Sequence, residues 1–363
     1  MGEREHEADP EPFPPLPDAA EAEAVLRLPR ARLFAWADSV RRARMGDAVF
    51  LRGIVEVSNV CANDCLYCGI RRSNAAVRRY RIGAEEVLAV ARRMAGWGMG
   101  TIVLQCGENP SPAGDRDLGA LISRIKAETP LAVTVSAGNR PRAVYAHWRD
   151  CGMDRYLLRF ETSDAEVFAR VHPDCTLAER LRCLADLRSL GVQVGSGFLI
   201  GLPGETLSRL AANILLCRDL DLDMIGIGPF ISHPGTPMAG AENAYADDPE
   251  MPFAALAALR LFNPDAHIPA TTAFDAAFPG HGRDLALRRG ANVYMPSVTP
   301  QAYRGDYLLY PGKPCVDEAA EESAQSVPAR IRALGRGLGA GRGDSFKKGG
   351  RAAAECGEVR CPV

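Results

Sequence analysis

The sequence predicts an α/β protein built as a (β/α)8 TIM barrel, with an N-terminal helical extension and a flexible C-terminal tail. Three observations carry this. Eight short runs of strand-forming residues recur along the 363-residue chain. Amphipathic segments separate most of them, and strand–helix alternation means parallel strands with right-handed crossovers. The repeating part covers about 250 residues, the usual length of a closed barrel. An open doubly wound sheet is the alternative. The eighth strand and the polar residues at strand ends favour the barrel, whose chemistry sits at the C-terminal ends of its strands.

Residues 1–20 are acidic and proline-rich and read as a disordered N-terminus. Residues 21–46 are rich in Ala, Leu, Arg and Glu and read as one or two helices, so the folded unit is expected over 21–325 as leading helices plus barrel. The strand candidates are GIVEVS (53–58), TIVLQC (101–106), LAVTVS (131–136), RYLLRF (155–160), QVGSGFLI (193–200), DMIGIGPF (223–230), HIPATTA (267–273) and NVYMPS (292–297). AEEVLAVARRMAGWG, TLAERLRCLADLRSLG and TLSRLAANILLCRDLD are helices between them, and Gly191 fits a helix-ending position. Residues 326–363 are basic and glycine-rich, helical at first and flexible beyond; Cys356 and Cys361 there are a weak metal hint.

Composition excludes several function classes. The net charge of −2 gives no basic footprint for nucleic acid. No run of about 18 uncharged apolar residues exists to span a membrane. The N-terminus lacks the basic start and apolar middle of a secretory signal, so the expected compartment is the cytoplasm. The 11 cysteines are an odd number, and no disulfide framework is expected. Cys106, Cys151, Cys175, Cys183 and Cys217 are scattered and read as small hydrophobes.

Cys61, Cys65 and Cys68 differ. They form C-x3-C-x2-C in a loop that starts where GIVEVS ends, at the expected catalytic mouth. A structural zinc site wants four ligands, usually as two pairs, and one triplet does not supply them. Cysteine thiolates are also the usual ligands of iron–sulfur clusters. A cubane held by three cysteines keeps one iron open to a small molecule. GLPGET (201–206) lacks the Lys-Ser/Thr ending of a phosphate loop and is not read as one.

The triplet after a first barrel strand, with aromatic Tyr67 before its third cysteine, resembles the signature of the radical S-adenosylmethionine (SAM) superfamily. Within it, CGIRRSN, RRYRI, IVLQCGEN, DRYLLRFET, GFLIGLPGET, DMIGIGPFISHPGTP, IPATTAF, GANVYMP and YPGKPC resemble the HydE-type [FeFe]-hydrogenase maturation enzymes, from about residue 48 to about 315. Biotin synthase and methylornithine synthase are more distant relatives. The resemblance implies a barrel of the radical SAM type. It implies a [4Fe-4S] cluster on Cys61, Cys65 and Cys68 with one open iron, SAM bound at that iron, and a 5′-deoxyadenosyl radical.

The resemblance also implies site residues. Glu161 would hold the ribose hydroxyls of SAM and Arg180 its carboxylate, with Ser136 and the backbone around Gln105, Cys106 and Gly107 completing the pocket. Thr134, Arg159, Thr271, Thr272, Met295, Tyr307 and Tyr310 would line the lumen beneath. Independently, strand alternation puts Thr134 with Ser136, and Arg159 with Glu161, on one face each. An Arg159–Glu161 ion pair that merely braces the rim is the plain alternative, as is core packing for Met295 and the tyrosines. Implied partners are HydG- and HydF-type maturation proteins, an electron donor such as ferredoxin or flavodoxin, and a cysteine-ligated Fe(CO)2CN precursor as substrate. Some HydE-type proteins hold a second cluster after YPGK. Here Cys315 is followed by VDEAAEESAQSV, without partners, so no second cluster is expected. A methylornithine synthase-like mutase, a biotin synthase-like sulfur-inserting enzyme, and a non-catalytic iron–sulfur carrier remain as alternatives.

Overall fold

The computed structural model describes residues 13–314, 316–317 and 320–347. Cys315, Cys356 and Cys361, and with them the second-cluster and tail-metal expectations, lie outside the described residues. So does the expected disorder of 1–12. Residues 18–21 are folded: the Asp18 carboxylate accepts from the Ala20 amide at 2.9 Å, and Glu21 reaches back to the Asp18 amide.

Two leading helices, α1 (Ala22–Leu26) and α2 (Arg30–Met45), precede the barrel. The strands are β1 (Ala48–Ser58), β2 (Thr101–Cys106), β3 (Ala132–Ser136), β4 (Arg155–Leu157), β5 (Gln193–Ser196), β6 (Leu199–Ile200), β7 (Met224–Ile225), β8 (Gly228–Pro229), β9 (Pro269–Ala270), β10 (Val293–Tyr294) and β11 (Gly337–Leu338). The wall runs β7-β5-β4-β3-β2-β1-β10-β9, all parallel, and a single parallel bridge between Met224 and His267 brings its two edges together. This is the nearly closed barrel the alternation predicts.

The outer layer is α3 (Ala84–Gly96), α4 (Pro112–Glu128), α5 (Arg142–Asp150), α6 (Ala165–Val171), α7 (Leu177–Ser189), α8 (Leu207–Asp219), α9 (Met251–Phe262), α10 (Thr272–Ala277), α11 (Gly282–Arg288), α12 (Gln301–Arg304) and α13 (Ala320–Ala333). Side chains mark their starts. Thr176 and Glu179 form a capping box on α7, and Ser111, Asp164 and Thr206 cap α4, α6 and α8. Every residue of α9 is buried because α1 and α2 pack over the face it would otherwise show to water.

Strand alternation sorts the wall. On β2, Ile102 and Leu104 join the outer core, while Thr101 and Gln105 face inward; on β3, Val133 and Val135 point out and Thr134 in. Two strand candidates break in the middle. QVGSGFLI divides into β5 and β6 and DMIGIGPF into β7 and β8, and β6 and β8 pair as a separate two-stranded ribbon. The breaks meet at glycines: a Cβ on Gly197 (φ 154°) would stand 1.9 Å from the Gly226 carbonyl oxygen.

Within the tail expected to be partly helical and then flexible, residues 334–347 pack against the barrel. β11 pairs with the start of β1, and 342–346 turns under the barrel and closes its lower end. The fully buried Arg155 guanidinium donates to Thr101 Oγ1 (2.9 Å), Gln193 Oε1 (3.1 Å), the Arg342 carbonyl (2.8 Å) and the Asp344 carboxylate. His267 Nε2 donates to the Asp344 carbonyl at 3.0 Å, and Arg52 Nη2 donates to the Gly343 carbonyl at 3.1 Å. Phe346 packs edge-on to Phe50 and lies beside His267. A glycine-rich string reads as flexible by composition, yet its few side chains fill partners that only the closed barrel creates.

Candidate active site

The cysteine loop leaves the top of β1 and is fixed by its own neighbours. Asn59 accepts from the Tyr80 amide (2.8 Å) and donates to the Arg78 (2.8 Å) and Asp306 (2.7 Å) carbonyls. Arg79 donates to the carbonyls of Asn59 (2.8 Å), Ile70 (2.7 Å) and Arg71, so one guanidinium holds both ends of the loop. Asp64, between the first two cysteines, accepts from Arg71 Nε at 2.7 Å and from the Ser73 amide at 3.0 Å. The loop amides of Ala62, Leu66 and Gly69 donate to the carbonyls of Glu108, Val171 and Leu309. Tyr67 is half-buried and packs against Val167, Leu202 and Phe230. Neither Asn59 nor Arg79 was singled out in sequence; RRYRI was informative only as a string.

Cys61, Cys65 and Cys68 face one another closely enough that each thiolate disfavours ionisation of the next. Burial raises all three thiols, with Cys68 pushed up to about 12. Among the described residues no three His, Cys, Asp or Glu side chains converge as the ligands of one metal ion would. A cubane is compatible with that spacing, because each of its three thiolates binds a different iron. One buried and two half-buried thiols that repel one another as thiolates ionise together more readily beside a strong local positive charge, which a cluster would supply.

Beside the loop, the Cys106-Gly107-Glu108 turn comes very close. A Cβ on Gly107 would lie 2.5 Å from the Val60 carbonyl oxygen and 3.0 Å from Cys61 Cβ, and the Gly107 amide donates to the Ser58 carbonyl at 2.8 Å. The Cys106 side chain lies on the outward face of β2. It lines a cavity of about 430 Å³ between α3 and α4, and burial pushes its thiol up to about 11. Only its backbone faces the cluster loop.

Across the mouth, Glu161 has φ 62°, a left-handed conformation strained for a glutamate, held by backbone bonds to Gly197 and Leu199. Arg159 Nη2 is 3.1 Å from Glu161 Oε2, but the angle makes no hydrogen bond. Arg159 Nε and Nη2, Glu161 Oε2 and Thr134 Oγ1 are therefore all buried without a hydrogen-bond partner. The Arg159–Glu161 ion pair is formed, yet its hydrogen-bond donors and acceptor stay open. Ser136 stands in register with Gln105 on the neighbouring strand.

Other expected residues are committed within the protein. Arg180 is buried, and its Nη2 contacts Glu108 (3.7 Å), His172 Nε2 (3.1 Å) and Cys175 Sγ (3.6 Å), while its buried Nε makes no hydrogen bond. Thr271 donates to the Ile227 carbonyl at 2.8 Å. Thr272 Oγ1 and the Tyr310 hydroxyl are 2.5 Å apart, and Tyr307 is buried, with the Lys313 ammonium 5.3 Å from its ring centre. Met295 packs against a lower cluster of Ala48, Phe50 and Val293.

The comparisons with known proteins agree with this geometry. The model of the radical SAM superfamily matches residues 55–217. The [FeFe] hydrogenase maturase subunit HydE of Thermotoga maritima is 44% identical over 304 residues, covering 84% of this chain and 86% of that protein. The crystal structure of methylornithine synthase (PylB) superposes with a TM-score of 0.77 at 25% identity, over 91% of this chain and 95% of that one. The [FeFe]-hydrogenase maturase HydG of Carboxydothermus hydrogenoformans shares the fold, with a TM-score of 0.76 at 22% identity, over 89% of this chain and 76% of that one.

Proposed function

The chain belongs to the radical SAM superfamily and, within it, to the HydE group of [FeFe]-hydrogenase maturases, and from that premise we propose that it acts on a cysteine-ligated Fe(CO)2CN precursor during H-cluster assembly. Cys61, Cys65 and Cys68 would hold a [4Fe-4S] cluster. When bound, that cluster would supply the electron for reductive cleavage of SAM. The chain's own work is holding and excluding. Glu161 offers a carboxylate oxygen that takes no hydrogen bond, with Arg159 3.1 Å away, suited to a ribose hydroxyl. Gly107 and the Gln105 backbone admit the cofactor against the cysteine loop, with Ser136 beside them. Thr134 and Arg159 present a hydroxyl and two guanidinium nitrogens to an anionic group such as metal-bound cyanide.

The observation that carries this reading is the Arg159–Glu161 pair beside the cysteine loop, where Arg159 Nε and Nη2 and Glu161 Oε2 are buried and make no hydrogen bond. The same donors would hold an amino-acid carboxylate, which keeps an organic substrate as the second reading. The test is anaerobic reconstitution with SAM and reductant, assaying 5′-deoxyadenosine with and without the product of a HydG-type enzyme. Stimulation by that product supports the first reading. Stimulation only by amino acids overturns it. Cys61→Ser should abolish 5′-deoxyadenosine in either case, and its persistence would sink the radical SAM assignment of these cysteines.

A further inference from the structure

Segment 306–313 crosses the barrel mouth and is fastened along its length. Asp306 takes hydrogen bonds from Arg78 on its carboxylate and from Asn59 Nδ2 (2.7 Å) on its carbonyl. The Leu309 carbonyl accepts from the Gly69 amide at 2.9 Å, and the Leu308 carbonyl fills the place of a Gly69 side chain: a Cβ there would stand 2.1 Å from it. Tyr307 is buried, and Tyr310 bonds Thr272. The segment thus touches the residue after Cys68 and a side chain of the lumen.

Its last fastening is Lys313. The ammonium bonds the Glu56 carboxylate near the top of β1, donates to the Tyr307 carbonyl at 3.1 Å, and sits 5.3 Å from the centre of the Tyr307 ring. The Lys313 and Glu56 side chains are only 8% and 5% exposed. Thr299 Oγ1 also donates to Glu56, at 3.3 Å. Desolvation cancels much of the gain of such a pair, and apolar side chains of like volume stabilise a core as well or better. What an ion pair adds is register: it accepts one arrangement of its two elements and penalises the others.

Building on the proposed function, we propose that Glu56 and Lys313 are positioning residues that lock 306–313 over the mouth. The lock sets Tyr307 and Tyr310 at the lumen and keeps the Gly69–Leu309 bond beside the third cysteine. Neither charged residue needs to touch SAM or substrate. They act through the two tyrosines and the cysteine loop, and they tie the end of β1, where that loop begins, to the segment that covers it.

Peptide-resolved hydrogen exchange on the anaerobically reconstituted full chain tests this. In Lys313→Met, exchange should rise about tenfold or more in peptides holding Gly69 and residues 306–310, with β3 unchanged, and Lys313→Arg should restore most of the protection. Lys313→Met alone leaves a buried, unpaired Glu56, which can prevent folding. The double variant Glu56→Gln/Lys313→Met carries no unpaired charge and should show the same local loosening. Wild-type protection of both peptides in the double variant overturns the proposal. So does an even rise that includes β3, which would make the pair a contributor to general stability only. The exchange readout is independent of substrate. Local loosening in a chain that ignores the iron precursor refutes the functional reading and leaves the lock standing.

Discussion

Gly107→Ala is the sharpest probe of how the barrel holds its cysteine loop. Gly107 does not have a positive φ, so alanine meets no backbone strain and only the added methyl acts. That methyl would lie 2.5 Å from the Val60 carbonyl oxygen and 2.9 Å from its carbon. An ordinary carbon–oxygen contact is about 3.3 Å or longer. The loop at Val60–Cys61 must therefore retreat by about 0.8 Å, because the clash is with backbone and no rotamer relieves it. Overpacking of this size destabilises by about 1–3 kcal/mol. Misplacing a reacting group by about 1 Å lowers rates about 100-fold. The variant should fold, take up less iron and sulfide per chain on reconstitution, and make 5′-deoxyadenosine about 10–100-fold more slowly. Gly83→Ala is the control, since nothing lies within 4 Å of its Cβ and its φ is −67°. Full iron content and wild-type 5′-deoxyadenosine formation in Gly107→Ala would refute the steric argument.

Three other expectations follow from the same coordinates. Glu161→Gln removes a charged acceptor whose Oε2 takes no hydrogen bond and lies 3.1 Å from the Arg159 guanidinium, so SAM affinity measured by calorimetry should fall about tenfold, about 1.4 kcal/mol, with the melting temperature little changed. Asp344→Asn leaves the fully buried Arg155 without its counter-charge; discounted for the half-exposed carboxylate, the loss is about 2 kcal/mol in urea unfolding, and an unchanged midpoint would refute the role of 342–346 in closing the barrel. Burial pushes Glu205 up to about 7, although it accepts from the Gly201 amide (2.7 Å) and Asn213 (2.9 Å). The folded state thus holds a proton that the unfolded state releases near pH 4.5. Stability from this group is complete below that pH and lost as pH rises through 7, about 3 kcal/mol in total. Glu205→Gln should flatten the unfolding midpoint between pH 5 and 8, and a slope equal to wild type would contradict the assignment.

The sequence alone determined the local terms. Strand–helix alternation fixed the barrel class, because each period of apolar residues reports which face of one element must be buried. C-x3-C-x2-C marked the candidate ligand set, because those three cysteines sit on one loop and need no distant partner. Alternation also put Thr134 with Ser136 and Arg159 with Glu161, since those relations span two residues. Tertiary structure decided what depends on residues far apart in the chain. It turned the Cys106 thiol away from the cluster, committed Thr271 to a backbone carbonyl, and surrounded Arg180 with Glu108, His172 and Cys175. It paired Lys313 with Glu56 and folded 342–346 under the barrel against Arg155. Composition marks that segment as a loose tail, and nothing local contradicts it. A buried guanidinium and a closed lower lumen exist only once eight strands have met, and their unmet hydrogen bonds are what draw the segment in.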